Sequence, residues 1–369
     1  MNKALFVASS GQNVGKTTTC LGLLAGLRKR KINVGFMKPV GQEFVTAESG
    51  ECADKDVVLF KEHFHLKDPL HAMSPVLIPR GFTKQYLDGK IEIDSLTKEI
   101  TTSFQAISQD KTCTVVEGTG HVGVGSICDL NNARVAQLLG IDILLILSGG
   151  LGSAFDTLMI NKALCDQVGV KIKGVLLNKV LPKKIDMIEH YFSKALGKLN
   201  IPLLGCIPYL PILSKPSMLD LSSLLQADFI SGKEHALFHA EDIRLVATSL
   251  DRFKEILAEK QLLITPAIRE DIIWATLTAY WDKKISDRKH LETGIILTGS
   301  IPCSEKILGE LRKANIPVLY TPDNSFEVTK KITTHISKIR KEDLEKIQKA
   351  IEVTESHINF DMLAEQFAL

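Results

Sequence analysis

Ala4-Leu5-Phe6-Val7-Ala8, followed at once by Ser9-Ser10-Gly11-Gln12-Asn13-Val14-Gly15-Lys16-Thr17-Thr18, is the stretch that decides how this chain folds. Five apolar residues without polar alternation read as a strand buried on both faces. A helix starts near Gly15 and ends in Arg28-Lys29-Arg30-Lys31. Strand, glycine loop and helix together form an anion site, because consecutive backbone N–H groups and a helix N-terminus converge there. Gly15-Lys16-Thr17 is the second half of the pattern G-x-x-x-x-G-K-[ST]; Ser10 stands where the strict pattern has glycine, and Gly11 comes one place late. Lys16 adds a mobile cation, and the Thr17 hydroxyl is a ligand for Mg²⁺. The loop therefore predicts nucleotide binding through Gly11, Gln12, Asn13, Val14, Gly15, Lys16, Thr17 and Thr18.

Outward from the loop, short apolar runs alternate with amphipathic stretches. Val34–Met37, Cys113–Val116, Ile143–Leu147 and Gly174–Leu177 read as further buried strands, with helices between them over Ser153–Val168 and Ile185–Leu199. The expected fold class is α/β, a mostly parallel sheet covered by helices. A proline-rich segment, Ile207-Pro208-Tyr209-Leu210-Pro211 through Lys215-Pro216-Ser217, interrupts the rhythm and is the expected domain boundary. Beyond it Leu262–Thr265, Gly294–Leu297 and Pro317–Tyr320 alternate with helical stretches, which predicts a second, smaller α/β domain. In the last segment Leu344, Ile347, Ile351 and Ile358 fall on one helical face, so residues 336–369 are expected to pack as helices on that second domain.

The chain has 369 residues, 45% hydrophobic and 24% charged, and a net charge of 45 − 43 = +2. That length suggests two domains at ~100–200 residues each. The near-neutral balance argues against a nucleic-acid or acidic-membrane coat. Arg28-Lys29-Arg30-Lys31 is what a helix C-terminus attracts, not a duplex footprint. No apolar run approaches the ~18–20 residues of a spanning helix, and no signal peptide is expected, so a cytoplasmic location follows. Seven scattered cysteines without a Cys-x-x-Cys pair read as reduced core thiols.

Magnesium needs oxygen ligands beyond one hydroxyl and two phosphates. Glu117 ends a buried strand in Val115-Val116-Glu117-Gly118-Thr119-Gly120, which sets it beside the loop in a doubly wound sheet. Asp54 and Asp56 stand at a helix start, where acids are also favoured by the helix dipole; Asp56 is the expected ligand. Lys38, ending the strand Val34–Met37, is placed to neutralise charge on a transferring γ-phosphoryl group. Asn178 ends a further strand and offers an amide that matches the donor and acceptor edge of adenine.

Taken together, Asn13-Val14-Gly15-Lys16-Thr17, Lys38-Pro39-Val40, Asp56 with its apolar helix, Val116–Gly120, Gly150-Leu151-Gly152-Ser153, Asn178 and Leu204–Pro208 carry a resemblance. Residues 1–215 resemble the dethiobiotin synthetase-like P-loop NTPase proteins. The resemblance implies ATP and Mg²⁺ as cofactors, with Thr17, Asp56 and Glu117 around the metal. It further implies that Lys16 and Lys38 act on the phosphates as catalytic groups, that Asn178 and the Pro208 segment embrace adenine, and that the protein is a homodimer. Residues 217–335 resemble the DRTGG domain, carried by Ile264-Thr265-Pro266, Arg269-Glu270-Asp271 and Leu297-Thr298-Gly299-Ser300. The two-domain order is similar to the N-terminal half of long bacterial phosphate acetyltransferases.

Departures from the pattern limit the function. Gly41-Gln42-Glu43 replaces a hydroxyl-rich stretch, Ser74-Pro75-Val76 lacks the family's histidine, and His121 replaces a glycine, so dethiobiotin synthesis itself is not expected. Cys303 lacks the flanking glycines of a glutaminase elbow. Gly11 stands where dimeric partitioning ATPases carry an extra lysine. The reading reached is a Mg-ATP-binding regulatory or sensor module with ATPase activity. The alternative is an ATP-dependent ligase that phosphorylates a carboxylate or carbamate for attack by an amine, with a small second substrate or a protein partner to complete either.

Overall fold

The computed structural model describes residues 3–47, 49–286 and 291–369. The chain divides into two compact units, Met1–Leu210 with Ile339–Leu369, and Pro211–Lys338. The first is built on six strands: β1 (Ala4–Ser9), β2 (Val34–Met37), β3 (Cys113–Glu117), β4 (Ile143–Ser148), β5 (Ile172–Val180) and β6 (Leu203–Pro208). Their order is β6-β5-β4-β1-β3-β2, and every neighbouring pair is parallel. Residues of β1 to β4 are almost all buried, as continuous apolar runs require when helices cover both faces.

The chain lays β2 and β3 on one side of β1, and β4, β5 and β6 on the other. The winding thus reverses at β1, and the crevice at the carboxyl ends of these strands is where open α/β sheets take ligands. Val7 pairs with Glu117 across β1 and β3, while Ser148 pairs with Asn178 across β4 and β5. Two helices of this unit carry site residues, α1 (Lys16–Lys29) and α2 (Lys55–Phe64).

The second unit has a five-stranded sheet: β7 (Asp228–Ser231), β8 (Asp242–Leu245), β9 (Gln261–Pro266), β10 (Thr293–Thr298) and β11 (Val318–Thr321), in the order β7-β11-β10-β9-β8. Only β7 runs antiparallel to its neighbour; the other pairs are parallel. Alternate residues of β10 feed two cores. Ile295 and Leu297 meet Ile273 and Leu277 of one helix and Ile307 of another, while Ile296 meets Met218, Leu221, Val328 and Ile332. Trp274 and Trp281 pack, partly buried, against the first of these cores. No described helix is long and apolar enough to cross a membrane.

The end of the chain departs from expectation. Residues Ile339–Leu369 group with the first unit, not with the second as the apolar stripe suggested. Helices α3 (Leu344–Glu355) and α4 (Phe360–Phe367) contribute to this, and α3 lies along α1. The cause is on α1. Gly22 and Gly26 lie one turn apart, and a side chain at either would collide with Thr354 or Phe360. Two glycines thus make the groove that receives the two C-terminal helices. Ile347, Ile351 and Ile358 are buried as the stripe requires, but Leu344 is exposed.

Candidate functional site

The loop between β1 and α1 has the shape its sequence requires. Gly15 takes a left-handed φ of 104° and hands the chain into α1, whose first turn carries no acid and no side-chain cap. The first amides of α1 are therefore left for an incoming anion. Asn13 also takes a left-handed φ, 58°. Lys16 reaches back over the loop: its ammonium donates to Gly120 O at 2.6 Å and to Ser9 Oγ at 2.9 Å. Burial lowers its pKa, opposed by the charge of Glu117. A phosphate would be a stronger acceptor than either neutral oxygen.

Glu117 stands where β3 ends, wholly buried, and accepts a hydrogen bond from the Thr17 hydroxyl at 3.1 Å. Its second oxygen, Oε2, is buried without a partner. Burial pushes its pKa up to about 7, with Asp56 raising it further and Lys38 and Lys16 opposing.

Lys38 lies between two carboxylates. Its ammonium donates to Asp54 Oδ1 at 2.9 Å and closely to Asp56 Oδ2, and all three side chains are buried. Burial works against its charge, but Asp56, Glu117 and Asp54 together hold it well above the ordinary lysine range. Asp54 also caps α2, accepting from the Asp56 N–H at 3.0 Å. Its other oxygen, Oδ2, is buried and unpartnered.

On the opposite side of the loop Asn178 is turned inward. Its amide Nδ2 donates to Val14 O at 2.7 Å and its Oδ1 accepts from the Lys179 N–H at 2.8 Å. One of its two amide hydrogens is thus engaged by the loop, and its oxygen by the neighbouring backbone of β5. Pro208 ends β6, half-buried, and the next residue, Tyr209, donates its N–H to Val180 O at 2.7 Å.

The expected residues therefore form two groups at one sheet edge. Lys16, Thr17, Glu117, Lys38 and Asp56 share one electrostatic field, while Asn178 braces the loop from the β5 side. Magnesium fits the first group. The Thr17 hydroxyl and the orphaned Glu117 Oε2 are oxygen donors beside an anion cradle, and Mg²⁺ at phosphates takes only one or two carboxylates. Among the described residues no three His, Cys, Asp or Glu side chains make a metal cage.

Comparison with known proteins settles the lineage. A family model described as an AAA domain matches residues 3–217. The chain belongs to this AAA domain family. A DRTGG domain follows the AAA domain at residues 220–335. Curated relatives are similar along nearly the whole chain. Phosphate acetyltransferase of Nitrosomonas europaea is 26% identical over 387 residues, covering 98% of this chain and 51% of the relative. That of Deinococcus radiodurans is 27% identical, covering 89% and 46%. The chain thus spans about half the length of the curated relatives it matches. Among solved structures, the MinD cell division protein of Aquifex aeolicus overlaps 57% of this chain and 84% of its own, at 13% identity and a TM-score of 0.36.

Within the AAA domain, three features escaped the sequence reading. Ser9, fully buried, ties Gly11 O at 2.7 Å and Gly120 O at 3.0 Å to the resting place of Lys16. Asn132 accepts from the Thr119 N–H and donates to Thr119 O and His121 O, so it fixes the loop after β3. Asp54 joins Lys38. Of these only Asp54 carried a signal, as the N-cap acid two places before Asp56. Ser9 meets Gly120 from over a hundred residues away and the partners of Asn132 are over ten away, and no local pattern marks these contacts.

Proposed function

We propose that this chain binds Mg-ATP at Gly11–Thr18 and serves as a nucleotide-dependent regulatory or sensor module, related to the N-terminal half of phosphate acetyltransferases. The observation that carries the reading is the uncapped start of α1 set beside the Thr17–Glu117 hydrogen bond, a cradle for phosphate next to a buried, half-satisfied carboxylate. When bound, Mg²⁺ supplies positive charge that neutralises the terminal phosphates. Amides of the loop hold phosphate oxygens, and Lys16 exchanges Gly120 O and Ser9 Oγ for them.

That exchange supports sensing. With Lys16 withdrawn, Gly120 O keeps only the Ser9 hydroxyl, so occupancy and the loop after β3 are linked through differential contacts, as any ligand-driven switch requires. Lys38 supports it as well. A lysine neutralised by Asp54 and Asp56 gives little help to a transferring phosphoryl group.

A second reading, ATP-dependent ligation of a carboxylate or carbamate to an amine, is favoured by the closeness of Lys38 to Lys16 and Glu117. If Asp56 turns to a metal, Lys38 is released toward the phosphates. A small second substrate or a protein partner, and assembly as a homodimer, belong to the proposal in either form. The test is ATP turnover by the purified protein and by Lys16→Ala, with and without candidate amines and carboxylates. Saturable binding with negligible turnover supports the sensor. Turnover that one small molecule stimulates strongly, and that Lys16→Ala abolishes, supports the ligase.

A further inference from the structure

We propose that the C-terminal helices α3 and α4 carry nucleotide occupancy outward from the site. Docked on α1 and β6 they favour the phosphate-receiving form of the loop, and a bound nucleotide in turn tightens their docking. The proposal rests on the nucleotide reading above and assigns that same site its regulation.

The two helices meet both flanks of the site. On the phosphate side, Thr354 of α3 is wholly buried and its hydroxyl donates to Thr18 O at 3.5 Å. Thr18 lies in the first turn of α1, among the residues expected to hold phosphate. One turn on, Gly22 leaves the space that the Thr354 side chain fills, and a Cβ there would also stand 3.1 Å from Glu355 N. Further along α1, Lys29 pairs with Glu355 at 2.9 Å. On the other flank, the turn between α3 and α4 rests on β6, the strand that ends in Pro208. The Asn359 N–H donates to Leu204 O at 2.8 Å, and a Cβ at Gly205 would stand 1.9 Å from His357 O. Glycine at 22 and at 205 thus admits the helices at two separated points, which fixes where they sit.

Coupling follows from what each partner holds. A phosphate on the first amides of α1 fixes that turn, and α3, which lies along the same helix, engages the turn through Thr18 O. The docked face is otherwise made of buried side chains: Ile347, Ile351 and Thr354 on α3, with Phe360 and Leu363 on α4. A packed face of this kind can open locally while strand pairing in the sheet persists. A ligand that binds the docked form better than the opened one shifts the balance toward docking. Docking then returns the same factor in affinity, because the coupling is reciprocal; such factors are about fivefold or more.

Hydrogen exchange of the full chain, with and without saturating Mg-ATP, reads docking at residues 344–367. The helix Ile93–Ser108 of the same unit is the internal reference for any general stabilisation by ligand. The amides of α3 and α4 should slow by about fivefold or more beyond those of the reference helix. Phe360→Ala, which leaves every loop residue in place, is the second arm. It should exchange faster over 344–367 without ligand and bind Mg-ATP about fivefold more weakly by calorimetry. No slowing, or equal slowing in the reference helix, would overturn the coupling. So would unchanged affinity in a folded Phe360→Ala whose C-terminal helices have loosened. The first arm uses the unaltered chain, so it decides the matter even where Phe360→Ala does not fold. Absence of Mg-ATP binding by the unaltered protein would instead overturn the nucleotide reading on which the proposal rests.

Discussion

The ring of Phe360 lies against Gly26 of α1, in the space that a side chain at position 26 would fill. The Arg30 guanidinium, one turn further along, covers the same ring at 4.0 Å from its centre. The C-terminal helices therefore close on the helix that follows the glycine loop.

Gly26→Ala tests this contact. Alanine gains about 1 kcal/mol of helix propensity, but overpacking in a filled core costs about 1–3 kcal/mol. The collision should win, lowering stability to urea by about 1 kcal/mol. In a Phe360→Ala background the same substitution should become neutral or stabilising. Equal effects in both backgrounds would mean the two residues do not meet.

Lys38→Met leaves Asp54 and Asp56 buried without their cation. Breaking a buried ion cluster by removing one partner costs about 3–5 kcal/mol, far more than the loss of an exposed lysine. Equilibrium denaturation at neutral pH should show that drop. A change below about 1 kcal/mol would place Lys38 in solvent.

Glu117 gives the ligand-free protein a pH dependence. An ordinary glutamate titrates near 4.5, and burial here raises that to about 7. Between those values the folded state holds a proton that the unfolded state has released, so stability falls as pH rises from about 4.5 to about 7 and then levels. Glu117→Gln should flatten that part of the profile. A wild-type profile that rises through this window and is unchanged in the variant would contradict the buried placement.

Thiol reactivity checks the core directly. Cys52 is exposed, whereas Cys20, Cys113, Cys128, Cys165, Cys206 and Cys303 are buried. Burial further pushes Cys113, Cys165 and Cys206 up to about 12, which suppresses the reactive thiolate. A chromogenic disulfide reagent should titrate one thiol rapidly in the native protein and all seven in denaturant. Several fast native thiols would contradict the packing.

What could be read in advance divides by range. The run Ala4–Ala8, the glycine loop and Gly15-Lys16-Thr17 are local, and a strand, a loop and a helix start follow from them without knowledge of the rest. Glu117 was legible because a carboxylate at the end of a buried strand has few places to go. The partner of a helix face is another matter. The stripe Ile347, Ile351 and Ile358 announces burial but not against what, and the answer was held by Gly22 and Gly26, over three hundred residues away. Two glycines one turn apart inside a helix forgo about 1 kcal/mol each, and that cost was the available sign of a close neighbour. Asn178 shows the same limit. Its residue type suits a base edge, and the further bond of its amide to Val14 O is one that only the folded sheet makes possible.

Calorimetry of the unaltered protein with Mg-ATP, beside Lys16→Ala, tests the central claim most directly. Saturable heat in the first and at least about tenfold weaker binding in the second is the result expected of a phosphate cradle completed by that ammonium. No heat from correctly folded protein, or equal affinity in the two, would contradict it.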